Sequence, residues 1–370
     1  MESEGPMKLK SASFFCILLA ALLSVSALVP FGLSESAYTK FSRRALDIFD
    51  TEITLMGYAR TEEEFNQVFD DTMAMLRRFD RVFDAYNAYE NLNNLYYVNR
   101  HAAEAPVEIP EELFSLISWC KEQWNRGLRS TNIAMGAVLS IWHEYREAGM
   151  AHPETAQLPP KEALQAASAH TDFDQVILDA EKQTVFFADP QITLDIGAVA
   201  KGWAADAVLP YLKEHMPSFL ISLGGNVYAG EPPLDGRANW AVGVEDPRPD
   251  ENGGGLMYRD IADIHELTIV TSGDYHRFYV VDGERYHHII DPETLFPSKK
   301  MISVTIICES STLADFLSTT LFVLSAEDGL SLIESMEGVE ALWMMPDDTE
   351  QASSGMNQYL RSLKNAGGAV

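Results

Sequence analysis

The stretch DIGAVAKGWAADAVLPYL, residues 195–212, is where this chain changes from an apolar segment to a helix built of small residues. The overlapping segment ITLDIG, residues 192–197, predicts a strand that leads into the helix through Gly197 and Ala198. Such a turn would expose backbone carbonyl and N–H groups, and Lys201 would carry a positive charge towards a phosphate or an aromatic ring. The stretch therefore indicates either a ligand-binding turn or a junction that needs glycine only for close packing.

Several function classes are excluded by motif and charge. The spacing around Lys201 is not that of a P-loop, and the chain has neither Gly-x-Ser-x-Gly nor His-Glu-x-x-His, which removes the simplest hydrolase and zinc-protease hypotheses. A formal net charge of -28 repels nucleic-acid phosphates, so we expect no nucleic-acid partner. An anionic substrate would need a divalent cation or a cluster of backbone N–H groups.

Helical periodicity and short alternating segments predict the fold class. Helices are predicted over 62–82, 109–128, 136–149, 158–170 and 312–325, with a long ordered loop over 83–103. Strands are predicted within 175–189, 218–231, 240–246, 266–273, 277–290, 302–308 and 338–346. Helices first and a mostly antiparallel sheet later indicate an α+β fold.

The N-terminus has the pattern of an export signal. Lys8 and Lys10 precede the apolar run SFFCILLAALLSVSALV, which ends in small residues at 25–27. We expect residues 1–33 to be a signal peptide or a retained membrane anchor, residues 38–370 to form the folded domain, and the protein to be exported. Cys120 and Cys308 lie among apolar neighbours, which favours buried thiols over a disulfide.

Two further segments carry candidate chemistry. Asp315 and Thr319 are four residues apart on a predicted helix, so their oxygens share one face and could bind Mg²⁺. Alternatively, Thr312 and Asp315 have the spacing of a helix capping box.

The other segment, VTSGDYHRFYVVDGERYHHIIDPETLFP at 270–297, has a backbone at Ser272 and Gly273 that is free to approach a ligand. Tyr275 and Arg277 are expected on the next strand. Taken singly, its parts also have structural explanations, since Asp291-Pro292 is a common turn opener and a histidine in a strand is usually structural.

Taken in order, the blocks DIGAVAKGWAAD, SLGGNVYAGE, TSGDYHR…HHIIDPET and LADFLSTTLFVL resemble the FAD:protein FMN transferases of the ApbE family. The resemblance covers about residues 45–346. It implies a two-lobed α+β domain related to the T-fold, with a mostly antiparallel sheet and flanking helices. It also implies binding of FAD and Mg²⁺, transfer of FMN to a Thr or Ser hydroxyl of an exported or membrane partner such as a redox-complex subunit, and release of AMP.

The resemblance also implies roles for individual residues. Asp315, Thr319 and the Ala198 carbonyl match the metal ligands, and Lys201 matches a position that contacts FAD. The remaining FAD contacts that we expect, from the resemblance and the segments above, are Phe49, Asn94, Leu95, Tyr96, Asn132, Ser272, Gly273, Tyr275, Arg277, His288, Ile289, Ile290 and Asp291. His288 is the candidate that accepts the hydroxyl proton, with His287 and Asp315 as competitors.

Three positions depart from the family pattern. Phe49-Asp50-Thr51 replaces Met-Gly-Thr, residues 132–136 begin with Asn132 in place of Asp, and Leu295 replaces a glycine, so the 291–297 turn is expected to differ locally. Two other functions stay open at this point. One is an Mg²⁺-dependent FAD pyrophosphatase that yields FMN and AMP, and the other is an exported flavin-binding protein without catalysis.

Overall fold

Strands and helices are interspersed in the computed structural model, which describes residues 38–248 and 258–366. In chain order, the strands of these residues are β1 Thr39–Ile48, β2 Thr51–Ala59, β3 Val107–Glu108, β4 Val176–Asp179, β5 Thr184–Phe187, β6 Phe219–Leu223, β7 Asn226–Ala229, β8 Trp240–Glu245, β9 Tyr258–Ile264, β10 Leu267–Gly273, β11 Phe278–Val281, β12 Glu284–His287, β13 Ser303–Cys308, β14 Glu340–Met344 and β15 Glu350–Ala352. The helices are α1 Glu62–Phe83, α2 Leu95–His101, α3 Glu111–Asn125, α4 Gly136–Ala151, α5 Lys161–Ser168, α6 Ala200–His215, α7 Ser311–Val323, α8 Ala326–Glu334 and α9 Arg361–Ala366.

The central sheet has eight strands in the order β1-β2-β6-β7-β10-β13-β14-β15, and each neighbouring pair is antiparallel. Successive side chains point to opposite faces of a strand. On β13, Val304 and Ile306 enter the larger core, whereas Ile307 enters a smaller core on the other face. The larger core is covered by α1, α6 and α7, and the smaller one by β8, β9 and α9.

Helix α1 shows how the flanking helices form. Thr61 accepts a hydrogen bond from the backbone of Glu64 at 3.1 Å and caps the helix, and three glutamates occupy the first turn. One face is buried against the sheet, through residues that include Phe65, Phe69, Met73 and Leu76. The sequence prediction for this helix is confirmed.

A separate apolar cluster joins α4, α5 and the β11–β12 hairpin. Trp142, Tyr279, Tyr286 and Ile290 are buried there. The Trp142 indole N–H donates to the Leu295 carbonyl at 2.8 Å, which ties the 291–297 turn to α4. With its mostly antiparallel sheet and flanking helices, the protein has the α+β fold that the sequence predicts.

The predicted strand over 192–197 is wrong. The segment is irregular and forms no strand, and its pairing with another segment is limited to an isolated parallel β-bridge between Thr193 and Met135. The Asn99 side chain accepts from Leu194 N–H at 2.8 Å and donates to the Leu194 carbonyl at 2.9 Å. These are the backbone groups that a neighbouring strand would otherwise bind.

Other elements were not predicted. The 83–103 segment holds α2 as well as a loop, and the elements without a counterpart among the sequence predictions are β1, β2, β3, β9, α8, β15 and α9. Both Cys120 and Cys308 are buried free thiols, as expected. The predicted signal or anchor over 1–33 lies outside the described residues. Within the described ranges, no helix is long and apolar enough to cross a membrane.

Candidate functional site

The turn before α6 is held from outside by backbone contacts. Asp195 N–H donates to the Ile133 carbonyl at 2.8 Å, and the Asp195 carboxylate accepts from Gly197 N–H at 2.8 Å. Gly136 N–H donates to the Thr193 carbonyl at 2.9 Å. Residues 193–197 therefore lie against the start of α4, and the turn at 197–199 is presented at the N-terminus of α6.

Gly202 marks the closest approach of α6 to α7. A Cβ atom on this residue would lie 2.2 Å from the Ser311 carbonyl oxygen and 2.7 Å from Asp315 Cβ. Real Cβ atoms do not come so close to other atoms, so only glycine permits this helix contact. The packing explanation is correct for Gly202, and the contact brings the opening stretch beside the late helix.

Asp315 is the acidic group at this contact. It is buried, accepts a hydrogen bond from Gly202 N–H at 2.9 Å, and lies 3.7 Å from the Lys201 ammonium. Burial raises the pKa of Asp315, and the charge of Lys201 and the Gly202 N–H oppose that shift. The capping-box alternative is wrong, because Ser310 is the N-cap of α7.

The donors around Asp315 suit a hard cation. No described residue donates a hydrogen bond to the Ala198 carbonyl, and the Thr319 side chain makes no hydrogen bond within the described part of the chain. The Lys201 ammonium is a cation already beside the Asp315 carboxylate. Carboxylate, hydroxyl and carbonyl oxygens are the ligands that Mg²⁺ prefers, so the residues present fit the ion. A cluster of three or more His, Cys, Asp or Glu is not found in the described residues.

Unpaired polar atoms mark the neighbourhood of the site. Among the described residues, five buried side-chain atoms lack a hydrogen-bond partner: Arg146 Nε, Asn226 Nδ2, Tyr275 Oη, His288 Nδ1 and Trp343 Nε1. Asn226 lies near enough to Asp315 to lower the pKa of that carboxyl. Buried polar atoms are nearly always paired, so the unpaired Asn226 amide near Asp315 is consistent with a site that binds a ligand.

His287 and His288 are adjacent in the chain but differ in the hydrogen bonding of their ring nitrogens. His287 donates from Nε2 to the Ser298 carbonyl at 2.7 Å, and its Nδ1 accepts from Ile289 N–H at 3.2 Å. Burial lowers the pKa of His287 to about 4. The Nδ1 atom of His288 has no hydrogen-bond partner among the described residues. Burial lowers the pKa of His288 well below 6.5, and the positive charge of nearby Arg277 lowers it further. His288 is therefore neutral at pH 7 and has a free ring nitrogen.

The end of β10 lies against α7. The Ser272 hydroxyl is 2.7 Å from the Ser318 hydroxyl, and Gly273 has no room for a Cβ because the Tyr275 ring would lie 2.2 Å away. Tyr275 and Arg277 occupy the 274–277 turn, which corrects their predicted place on the next strand. Arg277 has a φ of 44°, in the left-handed region, because the chain must turn there before β11.

Phe49 lies in the tight turn between β1 and β2. Phe49 and Asp50 have φ values of 53° and 50°, which is the left-handed pair of a two-residue hairpin turn. The Phe49 N–H donates to the Asp80 carboxylate at 3.0 Å. Thr51 packs so closely on Gly224 that a Cβ there would lie 2.2 Å from the Thr51 hydroxyl. The β1–β2 turn is thus next to the β6–β7 turn, and its contact residue there, Gly224, is two residues before Asn226.

The structure corrects the prediction for the side chains of Asn94 and Leu95. Asn94 is fully buried and caps α2: its Oδ1 accepts from Tyr97 N–H, and its Nδ2 donates to three backbone carbonyls at 2.8 to 3.2 Å. Leu95 is 1% exposed in the larger core. The Asn94 amide has no hydrogen-bonding capacity left for a ligand, and Leu95 has almost no exposed surface. Tyr96 is half-buried, with the Arg100 guanidinium over its ring.

The Asn132 side chain is used locally. Its Oδ1 accepts from Ala134 N–H at 2.9 Å, and its Nδ2 donates to the Thr171 carbonyl at 2.7 Å. These bonds shape the turn before α4, so an FAD contact by this amide stays a prediction.

Residues 289–291 lead from β12 into a polar turn. Ile289 and Ile290 are buried in two different apolar clusters. The Asp291 carboxylate accepts from Glu293 N–H at 2.8 Å and pairs with the Lys300 ammonium at 3.0 Å. An FAD contact by these residues also stays a prediction.

Leu295 stands where the family pattern has a glycine, and it has a backbone conformation that favours glycine. Its φ is 62°, so the leucine adopts the left-handed conformation that a glycine favours. The Leu295 N–H donates to the Asp291 carbonyl at 2.8 Å. The Trp142 hydrogen bond to the Leu295 carbonyl helps to hold the leucine in this conformation, and a local difference from the family's turn stays a prediction.

Comparison with known proteins identifies the family of this chain. The model of the ApbE family matches residues 49–343. The chain belongs to the ApbE family. It is 33% identical over 318 residues to a Treponema pallidum protein named FAD:protein FMN transferase, covering 82% of this chain and 84% of that protein. A Klebsiella pneumoniae protein of the same name is 32% identical, covering 71% of this chain and 81% of its own.

Solved ApbE structures share the fold. The ApbE protein of Thermotoga maritima superimposes with a TM-score of 0.75 at 26% identity, covering 87% of this chain and all of that one. Within the ApbE blocks quoted above, sequence reasoning missed Asn226, which lies near Asp315, and Asp206, which accepts hydrogen bonds from residues 310–312. Outside the blocks it missed Asn99, which binds Leu194. Each acts through partners far away in the chain, so for Asn226 and Asp206 the only signal was their position inside a family motif, and for Asn99 there was none.

Proposed function

We propose that this protein transfers FMN from FAD to a Ser or Thr hydroxyl of a partner protein and releases AMP. The observation that carries the proposal is the α6–α7 contact, where the buried Asp315 carboxylate lies 3.7 Å from the Lys201 ammonium and accepts from Gly202 N–H. The same two elements carry the Ala198 carbonyl and the Thr319 hydroxyl, for which the described residues offer no hydrogen-bond partner. In a chain of the ApbE family, whose relatives are named FAD:protein FMN transferase, this donor set supports a diphosphate-binding metal site.

Asp315, Thr319 and the Ala198 carbonyl would hold Mg²⁺. When bound, the ion would supply positive charge to the diphosphate oxygens of FAD, in a protein whose net charge otherwise repels them. Lys201 lies 3.7 Å from Asp315, and its ammonium would contact the same phosphates.

The chemical step is a substitution at the FMN phosphorus. The acceptor oxygen forms a new P–O bond, the bond from that phosphorus to the bridging oxygen of AMP breaks, and the hydroxyl proton passes to a base. Reactions of this type depend on positioning and charge neutralisation more than on covalent help from the enzyme.

His288 is the best candidate for that base. It is neutral at pH 7 with an unpaired Nδ1, whereas both ring nitrogens of His287 are occupied. Asp315 is occupied by Gly202 N–H and Lys201. A base must hold a free lone pair within reach of the proton that it accepts, and among these three groups His288 meets that requirement best.

We propose that the protein acts outside the cytoplasm on an exported or membrane partner, such as a redox-complex subunit. The support is the basic and apolar N-terminal sequence, with Lys8 and Lys10 ahead of the apolar run at 13–29. The net charge of -28 argues against a nucleic-acid partner.

The test is mass spectrometry of an acceptor protein with an exposed Ser/Thr acceptor motif after incubation with this protein, FAD and MgCl₂. We expect the acceptor to gain the mass of an FMN group, and an acceptor with the hydroxyl residue replaced by Ala to gain none. Free FMN and AMP with an unmodified acceptor would show a pyrophosphatase instead. FAD that binds and stays intact would show a flavin-binding protein and overturn both activities.

A further inference from the structure

Asp206 connects α6 to the beginning of α7. Its carboxylate accepts hydrogen bonds from the backbone N–H groups of Ser311 and Thr312 at 2.8 and 2.9 Å. It also accepts from the hydroxyls of Ser310 and Thr312 at 2.8 and 2.7 Å. One carboxylate of α6 thus receives four hydrogen bonds from the first turn of α7.

These contacts provide acceptors for N–H groups of α7 that have no partner within the helix. The first N–H groups of a helix have no partner within the helix and are usually capped by the preceding residue. Here the N-cap Ser310 accepts only from Leu313 N–H, at 3.2 Å. The N–H groups of Ser311 and Thr312 are capped by Asp206 of another helix, and the negative charge suits the N-terminal end of the helix dipole.

The link from Asp206 is next to the metal-site contact. Gly202 and Asp206 are four residues apart on α6, and Ser311 and Asp315 are four residues apart on α7, so each pair shares a helix face. Gly202 N–H binds Asp315 at 2.9 Å, and Asp206 binds Ser311 N–H at 2.8 Å. Two links about one turn apart fix both the height of α7 along α6 and its rotation about its own axis.

The same turn of α7 is also tied to the sheet. The Ser311 hydroxyl donates to Thr268 Oγ1 at 2.9 Å, and the Thr268 hydroxyl donates to the Val227 carbonyl at 3.0 Å. Val227 follows Asn226, whose unpaired amide lies near Asp315. A shift of the first turn of α7 would therefore disturb several members of the site together.

We infer that Asp206 is a positioning residue for the metal site, which it serves by holding α7 so that Asp315 and Thr319 face Lys201 and the Ala198 carbonyl. The inference rests on the proposed function. Because the Asp206 oxygens are engaged by α7, the residue acts through the placement of Asp315 and Thr319. Partners that orient metal ligands typically change metal affinity by about 10- to 100-fold when they are replaced.

The test compares Asp206→Ala with Ser325→Ala in the full chain. Ser325 caps α8 by accepting from Asp328 N–H at 3.1 Å, so its replacement also removes a helix cap, away from Asp315. Two quantities are measured: the Mg²⁺ concentration that gives half-maximal FAD turnover, and the Mg²⁺ concentration that gives half of the Mg²⁺-induced rise in Tm.

We expect Asp206→Ala to raise both Mg²⁺ concentrations by about tenfold or more and to keep much of the rate at saturating Mg²⁺. Ser325→Ala should lower Tm and leave both concentrations unchanged. Asp206→Asn should lie between wild type and Asp206→Ala, because one amide oxygen still accepts while the NH₂ group faces donors. If Asp206→Ala does not fold, Asp206→Asn is judged by the same criterion.

Two results would overturn the inference in different ways. Variants of Asp206 that lose Tm but keep both Mg²⁺ concentrations of the wild type would reduce Asp206 to an ordinary helix cap, with the proposed function intact. A wild-type protein that shows no response to Mg²⁺ in either measurement would overturn the proposed function together with the inference.

Discussion

Residues 195–202 and residues 94–96 both contain positions that the family resemblance predicts to contact FAD or its metal ion, yet the two segments use their polar atoms in opposite ways. In the first segment, no described residue donates to the Ala198 carbonyl, and Lys201 reaches towards Asp315. In the second, the Asn94 amide makes four hydrogen bonds within the protein and is fully buried. A motif position therefore indicates a binding residue only where hydrogen-bonding capacity is left over.

The largest expected effect is on FAD turnover, and it comes from replacing Asp315, the partner of the 195–202 segment. Asp315→Asn should reduce FAD turnover by about 1,000-fold or more, roughly 4 kcal/mol of transition-state stabilisation, because the anionic metal ligand is lost. The Asn oxygen still accepts from Gly202 N–H, so Tm should stay close to that of the wild type. Steady-state kinetics and thermal unfolding measure both.

The matched control is Asp328→Asn, which removes an exposed carboxylate near the start of α8. Its turnover should equal that of the wild type. Full activity of Asp315→Asn would instead leave Asp315 as a helix-packing residue.

The next largest effect is on stability, and it comes from replacing the buried Asn94. Asn94→Ala should lower the free energy of unfolding by about 2 to 3 kcal/mol, because the partners of a fully buried amide are left unsatisfied. The KM for FAD of the folded enzyme should not change. Urea unfolding and FAD kinetics decide the matter.

Asn93→Ala is the control, because the Asn93 side chain makes one hydrogen bond, to the Glu108 carbonyl at 2.8 Å, and should cost less. A stable Asn94→Ala protein with a greatly raised KM would show that Asn94 binds FAD after all.

The smallest expected effect concerns the paired histidines 287 and 288, which repeat the contrast in adjacent positions. Burial lowers the folded-state pKa of His287 to about 4, whereas an unfolded histidine titrates near 6.5. Its contribution to stability is therefore complete above about pH 6.5 and is lost as the pH falls towards 4. Between pH 7 and pH 5 the loss is about 2 kcal/mol.

Comparison with His287→Gln isolates this term, because the other titrating groups are common to both proteins. Urea unfolding at pH 7 and pH 5 should show a smaller loss of stability in the variant, by about 2 kcal/mol. Equal losses in the two proteins would contradict the assigned burial of His287.

Local patterns predicted much of the fold. The periodicity of 62–82 was enough for α1, and the Gly-Gly turn at 224–225 was enough for the β6–β7 hairpin. The strand order could not be predicted, because β6 and β7 lie between β2 and β10 through contacts distant in sequence. The irregular 192–197 segment was mistaken for a strand because its apolar residues alternate while Asn99, far back in the chain, occupies its backbone groups.

Some residues of the candidate site could be predicted from the sequence, and others could not. The resemblance groups Ala198, Asp315 and Thr319 as metal ligands. The contact of α6 with α7 brings Asp315 beside Gly202, and the ligand roles of Ala198 and Thr319 stay predictions. Asp206 was not predicted, because its partners lie 104 to 106 residues further along the chain. Asn94 was predicted as an FAD contact because sequence does not show which amides are already satisfied.

The most direct measurement is anomalous diffraction from crystals grown with Mn²⁺ in place of Mg²⁺ and with FAD present. The account predicts a manganese peak bounded by the Ala198 carbonyl, the Asp315 carboxylate and the Thr319 hydroxyl, next to the FAD diphosphate. Bound FAD with no manganese peak between these three groups, or with the peak elsewhere in the protein, would contradict it.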